Sequence, residues 1–129
     1  MKREGEMNTI LIMDDEASIR TVFKRYLEGH GYEVSLAANG KEGLRLLEER
    51  HHDLVITDIM MPEADGLEVL MAMREKARKI PIIAISGGMR SAPMDFLPVA
   101  RKLGACKVLY KPVDLEHLLD AVKETLGNG

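Results

Sequence analysis

Asn8-Thr9-Ile10-Leu11-Ile12-Met13 is an apolar run that stops at Asp14-Asp15. A run this short, closed off by two acids, is the pattern of a strand buried on both faces. A strand buried on both faces needs covering layers on each side, and the chain supplies them at once. After Glu16, the residues Ile19, Val22, Phe23, Tyr26 and Leu27 recur at helical spacing until Gly29 and Gly31, while Lys24, Arg25 and Glu28 face away. This predicts an amphipathic helix.

The same alternation continues along the chain. Tyr32 to Ala37 is predicted as a strand, Asn39-Gly40 as a turn, and Leu44 with Leu47 as the apolar stripe of a helix that His51-His52 end. Asp53 to Thr57 is a second buried strand, closing on Asp58. A helix from about Gly66 to Arg78 carries Leu67, Leu70 and Met71, and Pro81 to Ile85 is a β-branched strand that ends at Ser86. Asp95 can cap a helix through Leu103, which places Pro98 in its first turn, where a missing N–H costs little. Gly104 ends that helix, Cys106 to Tyr110 forms the fifth strand, and Asp114 caps a last helix with Leu115, Leu118, Leu119, Val122 and Leu126 on one face. Five strand–helix units require crossovers between parallel strands, and those crossovers are right-handed. The expected fold is α/β: a doubly wound, flavodoxin-like sheet of order 2-1-3-4-5 with five helices, binding ligands at the carboxyl ends of its strands.

Composition narrows the function classes. The 129 residues suit one domain, with residues 1–7 as a polar tail and residues 8–129 as the folded unit. With 18 Lys and Arg against 21 Asp and Glu, the net charge of −3 gives no whole-chain reason to bind nucleic acid or an anionic membrane. Cys106 is the lone cysteine, and no segment reads as a membrane span or signal peptide, so a reducing cytoplasm is the expected location.

The polar residues fall in one place. Asp14-Asp15 end the first strand, Asp58 the third and Ser86 the fourth, and Lys111 follows the fifth, so all of them line one rim of the sheet. Each has a bland alternative: Asp15 as a helix cap, Asp58 as a turn opener, Ser86-Gly87 as plain loop, Lys111 as a solvated charge. The readings are linked, because adjacent parallel strands bring the carboxylates together. Two carboxylates about 4 Å apart repel by roughly 4 kcal/mol at an effective dielectric of about 20, so the cluster needs a cation. Mg²⁺ suits an acidic rim, since it takes a few oxygens, keeps waters and accepts a phosphate oxygen. So neutralised, Asp58 can attack phosphorus, Lys111 can stabilise equatorial charge, and the Ser86 hydroxyl can donate to the phosphoryl group that arrives.

These residues resemble one family, the receiver domain of response regulators in two-component signalling. The matching pieces are Asp14-Asp15-Glu16, the run Val55 to Pro62 with Asp65-Gly66, then Ile85-Ser86-Gly87, Gly104-Ala105 and Tyr110-Lys111-Pro112. The resemblance covers Thr9 to Leu126. It implies that Asp14, Asp15 and Asp58 hold Mg²⁺ together with the Met60 backbone carbonyl, and that Asp58 takes phosphate from a kinase phosphohistidine. It further implies that Lys111 contacts the phosphoryl group, that the Lys111–Pro112 peptide is cis, and that the chain catalyses only its own phosphorylation and slow dephosphorylation. The implied partners are a sensor histidine kinase or histidine phosphotransfer protein, and a downstream target or an output domain not in this sequence. They meet the face built from the fourth helix, fifth strand and fifth helix, with the chain a monomer or weak dimer.

Departures from the family pattern are equally specific. Val108 stands where receivers carry a Tyr or Phe three residues before the lysine, and strand alternation directs the neighbouring Tyr110 to a different face from Leu109. Residues 87–94 form a longer loop than the family norm. Met60 and Gly88 occupy the positions that tune self-dephosphorylation, and neither side chain orients a water, so the phosphoryl group is expected to persist without a phosphatase; a lifetime of seconds counters this. An aspartate-dependent phosphohydrolase needs a second aspartate where Met60 stands, and a flavin or nucleotide module needs more than Gly87-Gly88. His30, His51-His52 and His117 do not form a metal set and are given no role, a histidine near a helix end being more often a dipole contact than a ligand; Arg74, Lys76, Arg78 and Lys79 are expected as a solvated face, with docking of an acidic kinase surface as the alternative, and most of the methionines, with Cys106, as core.

Overall fold

The computed structural model describes residues 7–58, 71–72, 80–87 and 105–127. Its elements are β1 (Thr9–Met13), α1 (Ala17–Glu28), β2 (Glu33–Ala37), α2 (Gly40–Glu49), β3 (Leu54–Asp58), β4 (Ile82–Ser86), β5 (Ala105–Tyr110) and α3 (Leu115–Leu126). All the strands pair in parallel, in the order β2-β1-β3-β4-β5. This is the expected sheet. The expected helices at 66–78 and 95–103 lie outside the described residues, save that Met71 and Ala72 are helical.

Side-chain alternation splits the core into two layers, one per face. Ile10, Ile12, Leu54, Ile56, Ile83 and Ile85 pack with Phe23 and Leu27 of α1 and Leu118 and Val122 of α3. On the other face Leu11, Met13, Val55, Ile82 and Ala84 pack with Leu44 and Leu47 of α2. Every residue of β1, β3 and β4 is buried, which is why those segments read as continuous apolar runs. α2 approaches β1 closely. A Cβ placed on Gly43 would overlap Met13 Sδ and lie 2.7 Å from its Cγ, so the absence of a side chain sets this approach.

The helix termini follow local chemistry. Asn39, expected as a turn residue, is the N-cap of α2 and accepts from the Glu42 amide at 2.8 Å. Asp114 caps α3 as expected, accepting from the amides of Glu116 and His117. Gly31 turns the chain between α1 and β2 with φ +93°, a conformation that only glycine adopts without strain.

Three expectations are corrected. Val22 is 48% exposed, because the core-facing stripe of α1 is narrower than its hydrophobicity and runs through Phe23 and Leu27. Cys106 is exposed as well. Ile82 pairs with Ala105 and Ile83 with Lys107, so Cys106 is the extra residue of a β-bulge, and its thiol donates to the Ile82 carbonyl at 3.3 Å instead of packing inward. Among the described methionines Met13 is core and Met7 of the tail is exposed, but Met71, expected on an apolar helix stripe, is exposed as well.

Candidate functional site

The carboxyl ends of β1, β3, β4 and β5 form the predicted rim. Asp14 follows β1 directly and is buried, Asp58 closes β3 at 2% exposure, Ser86 closes β4 at 4%, and Lys111 follows β5. Asp15 is exposed beside them. One carboxylate oxygen from each of Asp14, Asp15 and Asp58 lies within 4.8 Å of the other two. Lys111 Nζ donates to Asp58 Oδ2 at 2.8 Å and lies 3.3 Å from both Asp14 Oδ2 and Glu16 Oε1. The main chain of Lys111 is fixed too, its amide donating to the Ser86 carbonyl at 2.9 Å. The Lys111–Pro112 peptide is cis, as expected. The Met60 carbonyl and Gly88 lie outside the described residues.

Asp14 is held at several atoms. Its amide donates to Ala37 O at 3.1 Å, its Oδ1 accepts from the Glu16 amide at 2.9 Å, and its carbonyl accepts from Arg20 Nη1 at 2.7 Å. Its Oδ2 is buried and forms an ion pair with Lys111, yet no group among the described residues donates a hydrogen bond to it. Burial above all, with the charge of Asp58, pushes the Asp14 carboxyl above the ordinary carboxylate range, against the opposing pull of the Glu16 amide and Lys111. Burial also works against the charge on Lys111, but its hydrogen bond to Asp58 and the charges of Asp58 and Asp14 prevail and hold the ammonium well above the ordinary lysine range.

Among the described residues one ammonium faces three clustered carboxylates, so these groups keep a negative excess even before Glu16 is counted. A buried carboxylate oxygen without a donor and a donor set of oxygens alone fit a hard divalent cation, and they do not fit a soft thiophilic one.

Two contributors escaped the sequence reading. Glu16, read only as part of the acidic motif, reaches Lys111. Arg20 had no assigned role, although a cation in the first turn of a helix opposes the helix dipole and so signals a separate task. The histidines divide: His30 Nδ1 contacts the Tyr26 carbonyl at the end of α1, as expected, whereas His52 is buried between Arg50 O and Ser35 Oγ, both at 3.2 Å. Val108 packs on the α2 side of the sheet, and Tyr110, the register partner of Ser86, is 41% exposed.

Comparison with known proteins is consistent across sequence and structure. The family model described as the response regulator receiver domain matches residues 10–123. The transcriptional regulatory protein ZraR of Klebsiella oxytoca is 36% identical over 124 residues, 96% of this chain and 27% of that protein, so the chain spans about a quarter of that relative's length. The crystal structure of a CheY-like response regulator receiver domain protein from Methanospirillum hungatei superposes with a TM-score of 0.88 at 32% identity, covering 95% of this chain and 96% of that one. The response regulator TrrA of Thermotoga maritima, solved in complex with Mg²⁺ and BeF, gives a TM-score of 0.79 at 34% identity over 93% of this chain and 100% of that one.

Proposed function

The chain belongs to the response regulator receiver domain family, and from that premise we propose that it is a phosphoacceptor switch of a two-component system, carrying the phosphoryl group on Asp58. The observation that carries this reading is the Asp58 carboxylate at the end of β3, 2.8 Å from Lys111 Nζ and clustered with Asp14 and Asp15. Asp14, Asp15 and Asp58 would hold Mg²⁺, with the Met60 carbonyl as the further ligand that the family resemblance implies. When bound, the ion supplies charge neutralisation for the phosphoryl oxygens. That the Thermotoga relative was solved with Mg²⁺ and BeF supports this choice of ion.

Asp58 acts as the nucleophile: a carboxylate oxygen forms a bond to phosphorus while the bond from phosphorus to the donor's imidazole nitrogen breaks and its electron pair stays with the nitrogen. Lys111, already at Asp58, transfers its hydrogen bond to a phosphoryl oxygen. Ser86, buried at the end of the neighbouring strand, donates its hydroxyl to another. The donor is a sensor histidine kinase or a histidine phosphotransfer protein. The chain turns over no other substrate, and its output is a partner protein or an attached domain. Among the described residues no helix is long and apolar enough to cross a membrane. The cytoplasm, where the donor's phosphohistidine is made, is the proposed location.

The test is mass spectrometry after incubation with acetyl phosphate and Mg²⁺. A phosphate-sized mass increase that disappears in Asp58→Asn and with a chelator supports the reading. Absence of the adduct in a chain that demonstrably binds Mg²⁺ overturns it.

A further inference from the structure

Arg20 sits on the first turn of α1, where two electrostatic effects oppose it. A cation at the amino end of a helix is disfavoured by the helix dipole. A cation beside a metal site repels the metal. Among the described residues, and beside the general attraction of the acidic cluster, the Arg20 side chain makes one contact with a defined geometry, the 2.7 Å hydrogen bond from Nη1 to the Asp14 carbonyl.

That carbonyl belongs to the peptide plane joining Asp14 to Asp15. The Asp14 side chain is fixed independently, by burial and by the Glu16 amide on Oδ1. Asp15 is exposed, so packing does little to set its direction. The orientation of the shared peptide plane determines where the Asp15 Cα and side chain point, because the backbone has only two soft dihedrals per residue. A guanidinium donating to the plane's oxygen stops the plane from rotating. We propose that Arg20 is a positioning residue for the divalent cation, clamping the Asp14–Asp15 peptide so that the exposed Asp15 carboxylate stays converged with Asp14 and Asp58. This rests on the metal reading above.

The clamp and a bare charge predict opposite signs. A charge alone would weaken cation binding, and its removal would tighten it. The clamp has the reverse consequence, since loss of an outer partner that orients a ligand costs about tenfold or more in metal affinity. Ion size separates the two further. Mg²⁺ demands near-octahedral geometry whereas Ca²⁺ accepts flexible coordination, so loosening Asp15 penalises Mg²⁺ more, while a Coulombic effect moves two ions of equal charge together.

The experiment is isothermal titration of the native chain, Arg20→Met and Arg20→Lys with Mg²⁺ and separately with Ca²⁺, with far-ultraviolet circular dichroism to confirm folding. The expected result is a Kd for Mg²⁺ raised about tenfold in Arg20→Met, a smaller rise for Ca²⁺, and partial recovery in Arg20→Lys, which keeps a donor but lacks the planar fork. An Arg20→Met chain that binds Mg²⁺ as tightly as native or tighter overturns the clamp. So does an equal loss for both ions. Should Arg20→Met not fold, an Arg20→Lys affinity and Mg²⁺-to-Ca²⁺ ratio equal to native would overturn it. No Mg²⁺ binding by the native chain overturns the metal reading itself, and this inference with it.

Discussion

Lys111 Nζ lies 2.8 Å from Asp58 Oδ2, although 53 residues separate the two in sequence. The sheet order makes the contact possible by placing β4 alone between β3 and β5. Among the described residues, the ammonium is the charge that pairs with both buried carboxylates, Asp14 and Asp58.

Removing it should therefore expose the repulsion. Lys111→Met is expected to destabilise the metal-free chain by about 2 kcal/mol, below the usual cost of breaking a fully buried pair because the lysine reaches solvent. Added Mg²⁺ should recover much of the loss. Urea unfolding with chelator and with Mg²⁺ checks this; an equal deficit in both would show that charge compensation is not its role.

His52 should give the chain acid sensitivity. Burial, with the nearby positive charges of Arg50 and His51, holds its imidazole below the ordinary value of 6.5, outweighing the contact with the Arg50 carbonyl and the charge of Asp53. The unfolded chain then binds more protons on His52 than the folded one, so stability falls as pH drops below about 6.5, by up to about 1.4 kcal/mol per unit, until the folded imidazole itself protonates. His52→Gln should show a shallower decline between about pH 7 and about pH 5.5 in urea midpoints. Parallel profiles for the two chains would remove His52 as the cause.

Gly43 and Met13 should behave as a coupled pair. Gly43→Ala forces a methyl against Met13 and is expected to cost about 1–3 kcal/mol. Met13→Ala is destabilising alone, but the double variant should be more stable than the sum of the two losses implies, by about 1 kcal/mol. Strict additivity in thermal unfolding would deny the contact.

Asp114→Ala removes the acceptor for the Glu116 and His117 amides and should lower stability by about 1 kcal/mol. Asp114→Asn, which keeps a cap oxygen, should retain most of it. Equal losses from the two substitutions would shift the cause from capping to charge.

The sheet was legible because β1, β3 and β4 are buried throughout and, Thr9 and Thr57 aside, apolar up to the chemically distinct residues Asp14, Asp58 and Ser86 that mark their ends. Fully buried parallel strands leave that signature whatever their surroundings. The rim residues were legible for the same reason, each marking where burial ends. Arg20 was not, since its partner is a backbone carbonyl, which every residue has. His52 was misjudged because its burial depends on β2, which contributes Ser35 from 17 residues away. Cys106 was misjudged because alternation assumes unbroken pairing, and a bulge breaks the count.

That bulge also sorts length changes along β5. Cys106 has no partner of its own in the ladder, as Ala105 and Lys107 already face consecutive residues of β4. Excising it would close the ladder with the pairings on either side intact, leaving Leu109 inward and Lys111 still in reach of Asp58. Excising Lys107 or Val108 with the bulge retained would instead shift the frame by one, turn Leu109 outward and carry Lys111 off the rim. Between Ala105 and Lys111 the chain thus holds a single spare residue, and natural variants one residue shorter should have lost it there.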